Sequence, residues 1–376
     1  MPSIPQSLLW ISLVVLWLFV LVPMLTNKRD AVRRTSDVAL ATRVLNSSRI
    51  ARLRRRGRGP ASGHLSDPDW RPSAEDLDGD NRENRAPGRS VVMVADQYAS
   101  RDDPPDPPLG ARHGRIARYA RGADYHVQIK KRLHAVCDRL RTDHPGHEFR
   151  AFTDTAPVLE RELAQRAGLG WVAKHTLLIH PLRGSYFFLG GFVTTLSAQP
   201  PPEQRVSADH CGTCTRCIDA CPTNAITPYS VDASRCISYL TIERRLPIDE
   251  RFHEPIGDWL FGCDICQEVC PHNRPADHGR AGLPHDAYKP ARDSFDLLDV
   301  LGWNQDDRRS AFRSTALKRA TLAMIKRNAI IVAGNKLSAA DDPPLAESIH
   351  RIADDPQESD TLRTVARITL NRLNRQ

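Results

Sequence analysis

Outside residues 211–270 the chain carries a single cysteine, Cys137. A body cross-linked by scattered disulfides is thereby excluded, and Cys137 itself reads as a small buried apolar side chain. No charged residue precedes Lys28, so the positive n-region of a secretory signal is missing. No twin arginine stands ahead of the first apolar run either, which removes that export signal. Between Arg308 and Lys336 there is no acidic residue at all. A merely solvated helix face mixes signs to gain i,i+4 pairs, so this stretch reads as a phosphate-binding surface. With 376 residues there is room for two or three domains, and the net charge of +8 permits an anionic partner without choosing between nucleic acid and membrane.

What the chain does have is concentrated. Cys211, Cys214, Cys217 and Cys221 precede Pro222, and after Cys236 come Cys263, Cys266 and Cys270, followed by Pro271. Three thiolates spaced two residues apart wrap one cuboidal cluster, while the fourth, followed by proline, points away to ligate the other. Two cross-ligated [4Fe-4S] clusters are expected. Cys211, Cys214, Cys217 and Cys270 hold one, and Cys221, Cys236, Cys263 and Cys266 the other. A tetrahedral zinc site favours two separated C-x-x-C pairs, a pattern this unbroken series does not need.

An apolar run from Leu8 to Leu25 holds Trp10, Trp17 and Phe19, and is long enough to cross a bilayer. Basic residues from Lys28 onward, dense at Arg54, Arg55, Arg56 and Arg58, predict a C-terminal side kept in the cytoplasm. The expected organisation is an anchor over 1–27, a basic and polar linker over 28–89, a mixed α/β body over 90–205, a double-cluster module over 206–275 and a helical region over 290–376. The fold class is therefore α+β. Within the body, Val91 to Val94 reads as a buried strand, the Asp-Pro stretch from Asp102 to Pro108 as a loop, and His126 to Arg141 as a helix. A second helix is expected from Pro157 to Ala167, with Asp154 or Thr155 near its N-cap and Gly168 as its stop. Leu177 to His180 and Tyr186 to Leu196 read as strands around a turn at Gly184. Ala311 to Ala333 and Leu362 to Leu373 are the clearest helices of the C-terminal region.

Low-potential clusters move single electrons, and more than a hundred residues precede them, so the upstream body is expected to hold an electron acceptor. Its polar set includes Tyr119, Arg121, Asp124, Tyr125, His126, Asp154, Glu160 and Arg161. Taken singly each has a bland alternative: a helix cap, a surface pair, a turn. Together with R-Y-A-R-G-A-D-Y-H at Arg118 to His126, F-T-D-T-A-P-V-L-E-R at Phe152 to Arg161, A-G-L-G-W-V-A-K-H-T-L-L-I at Ala167 to Ile179, G-S-Y-F-F-L-G at Gly184 to Gly190 and R-N-A-I-I-V-A-G-N at Arg327 to Asn335, the cysteine block resembles the epoxyqueuosine reductase family. The resemblance runs from about Ser90 to the C-terminus.

That resemblance implies a cytoplasmic enzyme, monomeric, that uses cobalamin and two [4Fe-4S] clusters to reduce epoxyqueuosine to queuosine at the wobble position of tRNA, fed by a low-potential electron donor. It implies Asp154 as the general acid, with a pKa raised by its surroundings. It places Tyr125, His126, Lys174, His175 and Ser185 near the corrin, and a HEAT-like helical tail on the tRNA, with Arg313, Lys318, Arg319, Arg327 and Asn328 at its phosphates. No D-x-H-x-x-G motif is present, because Ile129 stands where the glycine belongs after Asp124 and His126, so no cobalt-ligating histidine is expected from it. The first 88 residues depart from the family pattern, which leaves one side of the cofactor pocket unaccounted for. Two other readings are a membrane-tethered electron carrier and a reductive dehalogenase, the latter expecting an export signal and no basic tail.

Overall fold

The computed structural model describes residues 88–375 except 155, 157 and 276–283, together with the backbone of the strand Leu40–Asn46. The apolar run Leu8 to Leu25 and most of the linker lie outside the described residues. Among the described residues no helix is long and apolar enough to cross a membrane.

The strand Ser90–Gln97 lies inside an antiparallel four-stranded sheet, between Leu40–Asn46 and Phe187–Thr194, with Phe149–Phe152 at the far edge. It is longer than the Val91 to Val94 stretch expected. Both of its faces are covered, which explains why its sequence does not alternate. Val92 and Val94 meet Ile129, Leu133 and Cys137 of the helix Tyr125–Asp143. Val91, Met93 and Ala95 meet Leu163 and Ala164 of the helix Glu160–Arg166 on the other side. Only Ile129, Leu133 and Cys137 of the longer helix are fully buried, an i, i+4, i+8 stripe. Val127 and Val136 lie off that stripe and are 57% and 42% exposed.

Three local expectations are corrected. The helix expected from Pro157 starts only at Glu160, and no side chain caps it. Asp154 takes no part in capping, because its backbone is left-handed (φ 43°) and its carboxylate is held elsewhere. Gly168 does stop the helix: its φ is +80°, and a Cβ there would stand 2.2 Å from the Arg205 carbonyl oxygen. The strands Leu178–Ile179 and Phe187–Thr194 do flank a turn at Gly184, closed by a His180–Gly184 bridge, and Leu178–Ile179 takes Trp171–Val172 as its partner. The helix expected from Ala311 to Ala333 is broken: after Gln305–Ala311 come Ser314 at φ 58° and a 3-10 turn Ala316–Arg319, and Thr321 then caps a new helix, Leu322–Leu337.

A second sheet joins distant parts of the chain. His113–Ile116 pairs parallel with Trp259–Phe261 and antiparallel with Ser294–Asp296. One apolar core therefore runs from Ile116 through Leu260 and Phe261 to Ile325, Ile349 and Val365. The helices Leu322–Leu337, Pro343–Asp354 and Asp360–Leu373 pack against one another at its far end.

Arg327 and Asn328 belong to this core, which overturns their expected place on tRNA phosphates. Each is 1% exposed. Arg327 donates to the carbonyls of Leu240, Arg244 and Leu246, which end the helix Ile237–Ile242 and the turn after it, and Asn328 donates to those of Thr241 and Leu260. A guanidinium with its donors spent on buried carbonyls has none left for a phosphate. Arg327→Met is expected to strand those acceptors and lower stability by about 3 kcal/mol. Thermal unfolding would register this, while the salt dependence of tRNA binding stays unchanged.

Candidate functional site

The two cysteine blocks each end in a single helical turn, Arg216–Asp219 and Ile265–Glu268, and these turns pack together. All nine cysteines are free. The thiols gather in space: Cys270 lies near enough to Cys211, Cys217 and Cys214 to be affected by them, and Cys266 to Cys236, Cys217 and Cys221. Cys263 adjoins Cys266 and Cys236. Burial pushes the Cys270 thiol up to about 11 and those of Cys263 and Cys266 well above their usual range. Eight converging, unbridged thiols in such surroundings fit iron, because coordination removes the proton that burial favours. No three His, Cys, Asp or Glu side chains among the described residues close around a single ion. A cuboidal cluster, which holds its thiolates further apart than one zinc ion does, suits that spacing.

A cavity opens on the first quartet, lined by Cys211, Cys214, Cys217 and Cys270 and, from the body, by Lys174 and His175. Lys174 Nζ donates to the carbonyls of Gly212 (2.7 Å) and Cys214 (3.0 Å), so it fastens the cluster loop to the body. Burial lowers the His175 pKa to about 4. The structure thus places Lys174 and His175 at the cysteines, where the family resemblance implied the corrin. Ser185 is buried in the seam between body and module, its hydroxyl accepting from Gln267 Nε2 (2.9 Å) and Asn273 Nδ2 (2.8 Å). These bonds give it a structural task.

A second centre forms where the helix Tyr125–Asp143 begins. Asp124 caps that helix, accepting from the His126 backbone N–H and meeting His126 Nδ1 at 2.8 Å. The cap turns His126 Nε2 toward Asp154 Oδ2 (2.8 Å), to which Tyr125 Oη also donates (2.6 Å). The Tyr125 ring lies between His126 and Phe188, stacked 3.9 Å and 4.1 Å from them, so packing fixes the donor. Asp154 remains 53% exposed.

The electrostatics differ from expectation. The hydrogen bond from His126 holds the Asp154 carboxyl below its ordinary range, and the same bond raises His126. Both shifts bias the pair toward an ionised Asp154 with the shared proton on His126. Glu160, the first residue of its helix, stands beside this pair. Burial first, and the Asp154 charge second, push it up to about 7, while the Asp154 backbone N–H donates to it and its Oε1 meets no partner. Arg319, at 65% exposure, pairs with Glu243 and is close enough to act on Asp154. Arg313 and Lys318 are exposed on the same segment, and the Ser314 carbonyl accepts from the Asp124 backbone N–H (2.8 Å), tying that segment to the site. Arg121, by contrast, is buried on Asp106 and the Ile116 carbonyl. Trp171, not singled out in sequence, stands beside the first quartet.

For a corrin, the fit is with a rim and not with a metal ligand. Both nitrogens of His126 are engaged by carboxylates, so it has no lone pair for cobalt. The unpartnered Glu160 Oε1 and the half-exposed Asp154 are acceptors suited to the amide donors on a corrin's edge.

Residues 210–273 match the family described as a 4Fe-4S double cluster binding domain, and residues 5–166 match the family described as gephyrin-like molybdotransferase receptor GlpR. The epoxyqueuosine reductase of Leadbetterella byssophila is 41% identical over 246 residues, which cover 65% of the chain and 77% of that protein. That of Xanthomonas campestris pv. campestris is 39% identical, covering 67% and 70%, and that of a Synechocystis strain 37%, covering 72% and 91%. Among solved structures, epoxyqueuosine reductase from Streptococcus thermophilus superposes with a TM-score of 0.65 at 27% identity, over 77% of this chain and 74% of that one. An epoxyqueuosine reductase crystallised with an epoxyqueuosine-modified tRNA-Tyr stem loop shares the fold at a TM-score of 0.70 and 24% identity, over 93% and 90%.

Proposed function

The chain belongs to the epoxyqueuosine reductase family, and from that membership we propose how its own residues carry out the reduction of epoxyqueuosine to queuosine in tRNA. The protein is an oxidoreductase with two [4Fe-4S] clusters and cobalamin as cofactors. The observation that carries the reading is the joining, in one body, of the eight-cysteine module to the Asp154–His126–Tyr125 cluster.

Removing the epoxide oxygen as water breaks two C–O bonds, forms one C=C bond and consumes two electrons and two protons. Cobalamin, when bound, supplies low-potential electrons to the epoxide carbon. Proton supply falls to the chain. Covering the half-exposed Asp154 with cofactor and nucleotide takes water from it, which favours the neutral pair and draws the His126 proton toward Asp154 Oδ2. Asp154 delivers that proton to the departing oxygen, and Tyr125 steadies the carboxyl as it does so. Glu160, half protonated near neutrality and bonded to the Asp154 backbone, is the reserve from which the second proton comes. Because the His126 pKa is raised, the pair keeps its proton below that pKa. Turnover is expected to hold at lower pH and to fall as pH rises through it, and His126→Gln should remove that limb of the pH–rate profile.

Arg313, Lys318 and Arg319 form the basic rim that takes the anticodon stem's phosphates, the modified nucleotide being extruded toward Asp154. Replacing Lys318 and Arg319 together by Ala should weaken tRNA binding and flatten the slope of log K against log salt by nearly two. Unchanged binding would place the tRNA elsewhere. A low-potential donor feeds the clusters, and the run Leu8 to Leu25 tethers the protein to the cytoplasmic face of a membrane. Fractionation of cells expressing the full chain or residues 89–376 tests the tether, which predicts that only the former sediments with membranes. The activity is tested by anaerobic reconstitution with iron, sulfide and cobalamin, then incubation with epoxyqueuosine tRNA and a reductant. Queuosine in the nucleoside digest supports the reading. Intact clusters with neither corrin nor product would favour an electron carrier.

A further inference from the structure

Two buried N–H donors on the hairpin Trp171 to Ile179 have no partner in the protein, and both stand at the first cysteine quartet. His175 is 3% exposed and Trp171 1%. Neither His175 Nε2 nor Trp171 Nε1 meets an acceptor. The tautomer of His175 is set by the turn: the Leu177 backbone N–H donates to Nδ1 at 3.2 Å, which leaves the ring proton on Nε2. The turn itself is fixed, with Ala173 N–H donating to the Leu177 carbonyl (3.0 Å) and Thr176, at φ 67°, to that of Ala173 (2.8 Å). His175 lines the cavity that Cys211, Cys214, Cys217 and Cys270 surround. Trp171 packs with Cys270 and against Cys211.

A buried donor without an acceptor is destabilising, and two beside one cysteine quartet call for a ligand rich in acceptors. The sulfides and thiolates of an iron–sulfur cluster are such acceptors, and hydrogen bonds to them favour the more negative, reduced state. We propose that His175 Nε2–H and Trp171 Nε1–H donate hydrogen bonds to the sulfurs of the cluster held by Cys211, Cys214, Cys217 and Cys270, and so raise its reduction potential relative to that of the second cluster. The inference rests on reading this quartet as a [4Fe-4S] site. His175 and Trp171 touch the cluster without ligating it, and Lys174 keeps the loop in register with them through the Gly212 and Cys214 carbonyls. The electron enters and leaves this cluster one at a time, so a difference in potential sets which cluster holds it at rest.

The test uses the full chain, reconstituted anaerobically with iron and sulfide, in a potentiometric titration followed by electron paramagnetic resonance. His175→Leu removes one donor and Trp171→Phe the other, while His175→Asn keeps an N–H. Each loss is expected to make one cluster about tenfold harder to reduce at fixed poise, about 59 mV for one electron, with the other cluster unmoved. His175→Asn should recover part of the shift. If His175→Leu loses iron, Trp171→Phe alone decides. Full iron with both potentials unmoved overturns the inference and leaves the cluster reading intact. A wild-type protein that takes up no iron overturns both.

Discussion

Asp154→Asn is expected to keep both clusters and its corrin while losing about 10²- to 10⁴-fold in turnover, the range that a positioned acid supplies. The substitution preserves shape, so Tyr125 and the His126 ring keep a partner at the same place. What disappears is the carboxylate that takes the His126 proton and passes it on. The same change should lower the His126 pKa, because its bond to Asp154 is the largest contribution raising it. Residual activity of the variant is then expected to fall away at lower pH than wild type. Single-turnover rates across pH, with iron and cobalamin content measured on each sample, separate this outcome from cofactor loss. Full activity in the variant would remove Asp154 from the mechanism, and the proton would then have to come from Glu160, the neighbouring acid at the start of its helix, which has an unpartnered oxygen.

The sequence made the ligands more legible than the acid–base state. Cysteine spacing is a local pattern, and the fold brings Cys270 near Cys211 and Cys221 near Cys266. The protonation of Asp154 depends instead on which side chains turn toward it, and nothing in T-D-T-A-P announces that His126, 28 residues earlier, closes on its carboxylate. The expected rise in its pKa was therefore reversed. Arg327 and Asn328 failed for a related reason. A basic stretch without acids looks like a phosphate surface, yet helix Leu322–Leu337 is buried all along its middle and the arginine turns inward to end another helix. The exposed Arg313, Lys318 and Arg319 stand apart only because Ser314 breaks the helix expected there, and a left-handed serine has no signature in composition. In the body the strand Ser90–Gln97 was visible as a β-branched run, but its pairing with Phe187–Thr194 joins segments nearly a hundred residues apart, which no window along the chain contains.

Cross-ligation makes the other large effect, and it is a prediction about which cluster fails when a given cysteine is removed. Cys270→Ala lies in the second block by sequence, yet it faces Cys211, Cys214 and Cys217, so it should destroy the cluster of the first block. Cys221→Ala lies in the first block and faces Cys266, so it should destroy the cluster of the second. Each variant is expected to fall from about eight iron atoms per chain to about four, since a [4Fe-4S] cluster that loses a thiolate in an otherwise filled site is lost or degraded. Iron counts alone are the same in both cases; the surviving signal tells them apart. The His175→Leu shift should persist in Cys221→Ala, where the cluster beside the hairpin remains, and vanish in Cys270→Ala, where it does not. If each cysteine instead served its own sequence block, the two results would exchange. Turnover should be absent in both variants, because an electron path through two clusters is broken by the loss of either.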